Sequence, residues 1–155
     1  MMSLSAGSVI KSTPALAGDP LFAGVTILIT AHGPSADGAV GYIINRPFGR
    51  RLNELAEFRH GRAFPLYDGG PVDREHLFFV HRRPDLIEGG VPAGAGIYAG
   101  GDFRQAVAGI NAGLLGTGDL KLFIGYCGWD AGELEAEIGE GSWMVTDEAP
   151  ELLFT

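Results

Sequence analysis

The sequence lacks the features that would support a disulfide or a membrane span. Its 155 residues include one cysteine, Cys127, so no disulfide can form within the chain. The longest apolar runs, residues 25–29 and 77–80, are far shorter than the roughly 20 residues of a membrane-spanning helix. Residues 1–17 carry one lysine and no continuous apolar core, unlike a secretory signal. We therefore expect a cytoplasmic protein with no membrane association.

Metal and cofactor motifs are also missing from the sequence. His76 and His81 are five residues apart, which puts them on opposite faces of a continuous strand, and no ligand cluster has the spacing of a zinc site. No GxGxxG motif opens a helix, and no glycine-rich loop carries the lysine of a phosphate loop. We expect no metal and no cofactor.

Positive charge is scarce. There are 11 lysines and arginines against 19 aspartates and glutamates, which gives a net charge of −8 and disfavours binding to nucleic acid. The arginines that cluster are Arg46, Arg50, Arg51, Arg59 and Arg62. Because Glu54 and Glu57 lie among them, we interpret this stretch as a solvated helix face.

The apolar patterning predicts one folded domain, residues 1–155, with mixed α and β structure. Apolar residues make up 46% of the chain, and its length is that of a single domain. Strands are predicted at residues 7–11, 25–31, 39–45, 64–67, 77–81, 97–99, 119–126 and 142–146. Helices are predicted at residues 51–59 and after the capping-box patterns that begin at Asp102 and Asp130. The strands come in groups and do not alternate strictly with helices, which favours an α+β fold.

Three segments together resemble one protein family. They are GAVGYIINRP at 38–47, GGPV at 69–72 followed by Leu77 and His81, and GYCGW at 125–129 followed by GELEAEI at 132–138. With Asp19–Phe22 and Trp143, the similarity to the YqgE/AlgH family of bacterial proteins runs over nearly the whole chain.

The resemblance implies a fold but no established activity. The expected fold is α+β, with a strongly bent, mostly antiparallel sheet that forms a pseudo-barrel flanked by helices. Members of the family are commonly labelled transcriptional regulators, although this sequence contains no DNA-binding motif. It also departs from the family at position 127, which is more often Ala or Ser, and at position 133, which is more often Gln.

Cys127 is the one candidate nucleophile. Its GYCG segment lies between a predicted strand and a predicted helix, as in a nucleophile elbow, and a helix N-terminus can lower the pKa of a thiol. His32 or His81 would be the base. However, Trp129 stands where the elbow requires glycine, and the resemblance implies that related proteins work without this thiol. We favour a buried core cysteine and keep a small hydrolase or transferase as an alternative.

Two loops are candidates for holding a ligand. Asn45 and Arg46 end a predicted strand and could hold an anion, but Arg46 could equally pair with a carboxylate while Asn45 satisfies backbone groups. The turn at residues 68–71 has amides that could cradle an anion, although we favour a plain turn with no ligand. Tyr126 and Trp129 could form a stacking platform, but we favour a core role for both.

These observations lead to a first hypothesis of a non-enzymatic binding or regulatory protein. Its ligand would be a small molecule or a protein partner, and its oligomeric state is left open. The predicted site comprises Asn45, Arg46, Gly69, Gly70, His81, Tyr126 and Trp129. Direct DNA binding is a further alternative, which the charge balance disfavours. On the last helix, Glu133 is expected to complete a capping box, and Glu137 and Glu140 are expected to face solvent.

Overall fold

The computed structural model describes residues 4–33 and 37–154, so residues 34–36 of the predicted loop lie outside it. The strands are β1 Val9–Ser12, β2 Thr26–Gly33, β3 Gly38–Ile43, β4 Pro47–Arg51, β5 Pro65–Asp68, β6 Val72–His81, β7 Val91–Pro92, β8 Tyr98–Ala99, β9 Leu120–Asp130 and β10 Trp143–Thr146. The α-helices are α1 Phe103–Asn111 and α2 Glu133–Gly139. Short 3-10 helices occupy Pro14–Leu16, Leu52–Glu54, Ala56–Phe58 and Pro150–Phe154. No helix in the described ranges is long and apolar enough to cross a membrane.

The strands form one large sheet built around β9. Its main path runs β10-β1-β2-β3-β9-β6-β8-β7, and β5 joins β9 with β4 beside it. One edge of β9 pairs with β5 at residues 122–124 and then with β3 at residues 127–130. The other edge of β9 pairs with β6. The β5–β9 pairing is parallel and the others are antiparallel. The sheet does not close, and the predicted α+β class with a mostly antiparallel sheet is confirmed.

The predicted hairpin of residues 25–31 and 39–45 is confirmed as β2 and β3. Before it, Asp19 caps a single helical turn, because its Oδ1 accepts hydrogen bonds from the N–H groups of Leu21 and Phe22. The pairing register shifts between Ile29 and Ala31, which marks a bulge that bends this part of the sheet.

The helix predicted over residues 51–59 is wrong. The chain forms two separate 3-10 turns there, and Leu55 between them has extended backbone angles of φ −83° and ψ 137°. Leu52, Leu55 and Phe58 are spaced three residues apart, a period that fits the 3.0 residues per turn of a 3-10 helix as well as an α-helix. The apolar spacing alone therefore did not distinguish the two.

The strand predicted to end at Tyr126 instead continues to Asp130, which removes the strand-to-helix turn expected around Cys127. Gly125, with φ +74°, bends β9 without ending it. The following helix begins at Glu133, and its N-cap is Gly132 rather than Asp130. Half of the predicted capping box is present, because Glu133 Oε1 accepts the N–H of Asp130 at 3.3 Å.

Helix α1 matches its prediction more closely. The side chain of Asp102 accepts the N–H of Gln105 at 3.2 Å, and Gly113 closes the helix with φ +77°. Just after the helix, Leu114 is 58% exposed and Leu115 is buried. Helix α1 covers the β5–β9–β6 part of the sheet, and α2 covers the β2–β3 part with Leu134.

Candidate functional site

Four of the predicted site residues lie together where β5, β6 and β9 meet. Asn45 and Arg46 follow β3, and Gly69 and Gly70 link β5 to β6. The backbone of Tyr126 lies directly beneath Gly70. Sequence reasoning therefore brought together a loop and a turn that are 24 residues apart in the chain, Asn45 against Gly69.

Glycine is required at this junction because three stretches of backbone touch. A Cβ atom at Gly69 would overlap the carbonyl oxygen of Gly125, and one at Gly70 would overlap the backbone of Tyr126. Gly70 also has φ +151°, a conformation that side chains rarely adopt. The turn thus sits against β9 at backbone-to-backbone distance, and it leaves an open cleft above it.

We call this space the arginine cleft. Its volume is about 230 Å³. It is lined by Leu21, Ile43, Arg46, Asp68, Gly70, Pro71 and Arg74. Arg74 donates to Asp68 at 2.5 Å and to the carbonyl of Gly70 at 3.0 Å, so its charge is largely compensated.

Arg46 is the uncompensated charge in the arginine cleft. Arg46 is half-buried, and its guanidinium makes no hydrogen bond or ion pair with residues 4–33, 37–150 or 153–154. The N–H of Gly70 likewise donates to no acceptor within the described part of the chain. A guanidinium and a backbone N–H without acceptors are the donors that a carboxylate or phosphate binds.

Asn45 positions Arg46. Its Oδ1 accepts the N–H of Thr26 at 2.9 Å, and its Nδ2 donates to the carbonyl of Gly24 at 3.0 Å. Asn45 therefore ties the end of β3 to the start of β2 and fixes the chain that enters the cleft. In the structure the side chain of Asn45 therefore satisfies backbone groups, which was one of its two interpretations from the sequence.

His81 and Trp129 do not belong to the arginine cleft, which corrects the grouping of the predicted site. In the register of β9, His81 is opposite Leu120, whereas Trp129 is opposite Ala39. Leu120 and Trp129 are nine residues apart, or about 30 Å of strand. The predicted grouping failed because loop position does not show which end of a strand a side chain reaches.

Both residues have structural partners. His81 is fully buried; its Nε2 faces the carbonyl of Gly100 at 3.2 Å, and its Nδ1 accepts the N–H of Arg83 at 3.1 Å. Burial lowers the pKa of His81, so the ring is neutral at pH 7. Trp129 is buried and donates its indole N–H to Glu137 Oε1 at 3.0 Å.

Glu137 was predicted to face solvent, but it lies at the edge of the core. Its Oε1 also accepts the indole N–H of Trp143, at 2.9 Å. The two indole rings pack edge to face with centroids 6.2 Å apart. One carboxylate oxygen thus satisfies both tryptophans that face it, a role that the acidic run in the sequence did not reveal.

Cys127 is enclosed under the Gly69 turn. Its Sγ lies 3.5 Å from the carbonyl oxygen of Gly69, and the residue is 2% exposed. Burial raises the pKa of the Cys127 thiol to about 12. Neither candidate base reaches it, because His32 Nε2 pairs with Glu135 at 3.0 Å and His81 faces Gly100. A buried thiol with a raised pKa is a poor nucleophile.

The described residues contain no ligand set for a metal ion, because no three of their His, Cys, Asp or Glu side chains come together. His32, with Gly38 and Glu135, lines a separate cleft of about 340 Å³. His76 pairs with Asp73 at 2.6 Å, and this carboxylate raises the pKa of His76.

A larger groove lies beside the arginine cleft, and sequence reasoning missed it. Its volume is about 730 Å³, and we call it the aromatic groove. Its residues come from β4, Leu55 and the 3-10 turn that follows it, β6, α1 and β9: Phe48, Arg50, Leu55, Ala56, Glu57, Phe58, Arg74, Glu75, His76, Leu77, Phe103 and Ile124. Phe48, Phe58 and Phe103 are only half-buried. The apolar spacing of Leu55 and Phe58 was the available signal in the sequence, but it was interpreted as one face of an α-helix.

Comparison with known proteins matches the chain to one family. Residues 9–155 match the model of a family described as AlgH-like, DUF179. A UPF0301 protein from Chlorobaculum tepidum is 36% identical over 137 residues, covering 88% of this chain and 72% of the relative. One from Bacteroides thetaiotaomicron is 33% identical over 145 residues, covering 93% and 72%.

Two solved structures share the fold. The solution structure of the AlgH protein from Pseudomonas aeruginosa has a TM-score of 0.74 at 27% identity, and the match covers 99% of this chain and 85% of that one. A crystal structure from Corynebacterium diphtheriae has a TM-score of 0.76 at 19% identity, covering 96% and 78%. This second likeness concerns the fold alone.

Proposed function

This chain belongs to the AlgH-like family, as its sequence resemblance predicted, and we propose that it is a non-enzymatic binding protein. It recognises an anionic group of a small molecule or a protein partner in the arginine cleft. The observation that carries this proposal is the half-buried Arg46, whose guanidinium has no acceptor in residues 4–33, 37–150 and 153–154 although it lies in a protein of net charge −8.

The surroundings of Arg46 support an anion over other ligands. A partly desolvated guanidinium binds a carboxylate or phosphate strongly, because water screens the attraction less than at an open surface. The neighbouring N–H of Gly70 adds a second donor. Arg74 adds positive charge when the anion competes for it with Asp68.

The environment of Cys127 supports a binding protein over the thiol-dependent hydrolase or transferase. The thiol donates to a backbone carbonyl, lies under the turn and has no histidine near it. Cys127 therefore acts as packing beneath the floor of the arginine cleft.

A thermal-shift screen of the purified protein tests the proposal. The panel contains citrate, succinate, inorganic phosphate, nucleotides, acyl-coenzyme A compounds and a short DNA duplex. An anion that binds only the folded state at 100 times its Kd adds about 2.7 kcal/mol to stability, which raises Tm measurably. We expect a saturable increase with at least one carboxylate or phosphate in the wild-type protein.

Arg46→Gln removes the charge and keeps side-chain polarity, and we expect it to abolish the increase. Arg104→Gln is the matched control, because Arg104 is exposed on α1 and does not line the arginine cleft. Equal shifts in wild type and Arg46→Gln would contradict the proposal. A shift produced only by the duplex would favour the DNA-binding alternative.

A further inference from the structure

We propose that the arginine cleft takes a free α-amino acid with a short apolar side chain, whose carboxylate binds Arg46 and whose ammonium group binds Asp68. This inference rests on the proposed function and names the ligand class of the same site. Its basis is that Arg46 and Asp68 carry opposite charges and line one cleft, yet form no ion pair with each other.

Arg46 and Asp68 are directly opposite each other, since Asp68 ends β5 and Arg46 immediately precedes β4. Pro47 pairs with Tyr67, and in the next pair the N–H of Asp68 donates to the carbonyl of Arg46 at 2.8 Å. Opposed side chains on paired strands have Cβ atoms about 4.5–5.5 Å apart, which is close enough for an arginine and an aspartate to meet. The two charges therefore border the same small space without neutralising each other.

Asp68 keeps an acceptor for a ligand. Its Oδ1 accepts Nη1 of Arg74 at 2.5 Å, a one-point contact that uses only half of what a carboxylate and a guanidinium can form. Oδ2 accepts no hydrogen bond from residues 4–33, 37–150 or 153–154, and the side chain is only 21% exposed. The cleft thus presents one guanidinium without an acceptor next to one carboxylate oxygen without a donor.

This pair of groups selects a molecule that carries both charges close together. An α-amino acid has its carboxylate and its ammonium group on one carbon, so it can use Arg46 and Asp68 at the same time, with charge-assisted hydrogen bonds at both. A plain anion uses Arg46 and leaves Asp68 without a donor. A peptide carries its ammonium and its carboxylate at opposite ends, so neither end supplies both groups.

The size and the apolar wall of the cleft fit a small side chain. The volume of about 230 Å³ is below the roughly 300–1,000 Å³ of sites for drug-sized ligands. Ile43 and Pro71 line the cleft, and Leu21 lines it while being 48% exposed. Asp19 holds Leu21 in place by accepting its N–H at 2.8 Å. An apolar ligand side chain that covers Leu21 removes this surface from water, which favours binding.

The test is isothermal titration calorimetry of the full chain with ligands that differ by one group. They are L-leucine, 4-methylpentanoate, which lacks the ammonium group, L-leucinamide, which lacks the carboxylate, and glycine, which lacks the apolar side chain. We expect L-leucine to bind at least about tenfold more tightly than 4-methylpentanoate or L-leucinamide, and more tightly than glycine. Equal binding of L-leucine and any of the three, or no binding of L-leucine at millimolar concentration, overturns the amino-acid proposal.

Asp68→Asn isolates the role of the carboxylate. Asparagine keeps an oxygen that can accept from Arg74 but carries no negative charge, so L-leucine should lose its advantage while 4-methylpentanoate binds as before. Asp147→Asn is the matched control, because Asp147 is exposed and does not line the arginine cleft, and it should bind like wild type. Unchanged Tm values show that both variants fold. Equal weakening of both acids in Asp68→Asn would give Asp68 a structural role and overturn the proposal.

Arg46→Gln separates the amino-acid proposal from the anion-binding function. We expect this variant to lose both L-leucine and 4-methylpentanoate. If 4-methylpentanoate, citrate or phosphate binds in an Arg46-dependent manner while the ammonium group of L-leucine adds nothing, the amino-acid proposal fails alone and the anion-binding function stands. If Arg46→Gln changes the affinity for none of these ligands, both fail.

Discussion

The thiol of Cys127 donates to the carbonyl oxygen of Gly69 across 3.5 Å, and this contact places the one cysteine beneath the turn that forms the arginine cleft. The cysteine is therefore part of the support of the arginine cleft, and its burial makes it a poor nucleophile. Its raised pKa follows from burial, with the nearby Asp68 carboxylate adding to it.

The burial of Cys127 predicts that its thiol is modified slowly in the native protein. We expect 5,5′-dithiobis(2-nitrobenzoate) to modify native protein at pH 8 on the order of a hundredfold more slowly than protein unfolded in urea. Cys127→Ala should keep the anion response. Native modification as fast as that of the unfolded chain, or an anion response lost in Cys127→Ala, would contradict this placement.

The carboxylate of Glu137 predicts a cost for its removal. Glu137→Ala leaves the indole N–H groups of Trp129 and Trp143 without their acceptor, and each unsatisfied buried donor costs about 1–3 kcal/mol. We expect a loss of about 2–4 kcal/mol in the free energy of unfolding, measured by urea titration with tryptophan fluorescence. Glu140→Ala, at an exposed position on the same helical end, should change it little. A similar loss in both variants would show that charge, and not the shared oxygen, matters.

Backbone contact at Gly70 predicts a strong effect of one methyl group. Gly70→Ala forces a Cβ into the backbone of Tyr126 at a φ that alanine avoids. We expect a loss of about 2–4 kcal/mol in urea denaturation, since both overlap and strain contribute. Gly116→Ala is the matched control, because nothing lies within 4 Å of its Cβ position. If the two variants were equally stable, the close approach of the turn to β9 would be wrong.

The neutral ring of His81 predicts an acid-labile fold. Because burial lowers the folded-state pKa of His81 below the unfolded value, its stabilising effect is complete above about pH 6.5 and is lost as the pH falls below that value. Nδ1 faces the N–H of Arg83, so a proton added there opposes an existing donor. We expect the free energy of unfolding to fall between pH 7 and pH 5.

His81→Asn tests this assignment, since asparagine can still accept the N–H of Arg83 but does not titrate in this range. The variant should be less stable at pH 7 and should lose less stability between pH 7 and pH 5. An unchanged pH dependence in His81→Asn would assign the effect to other groups.

Local patterns predicted much of the fold. Runs of apolar residues located β2, β3 and β10, and the pair Asp102 and Gln105 located the start of α1. The failures have physical causes. A spacing of three residues fits both α and 3-10 turns at Leu52–Phe58, and β9 continues past Tyr126 because residues 127–130 pair with β3, a contact that is distant in sequence.

The site was predictable only in part. Arg46 and Gly70 could be proposed as site residues from the sequence. Both follow predicted strands, and polar residues and glycines at strand ends indicate loops that can meet at one edge of the sheet. His81 and Trp129 could not be separated from them, since their distance depends on the register of β9. The aromatic groove depends on how β4, β6 and α1 converge, which no local pattern of the sequence contains.

Whether the arginine cleft binds anions is tested most directly by a proton–nitrogen correlation NMR titration of the uniformly labelled protein with citrate and with inorganic phosphate. We expect saturable shifts at the Gly70 amide and at Nε–H of Arg46, with small changes at Arg104, and loss of the Gly70 shift in Arg46→Gln. Shifts centred elsewhere on the protein, or none at Gly70 and Arg46 up to millimolar anion, would contradict the assignment of the arginine cleft as the binding site.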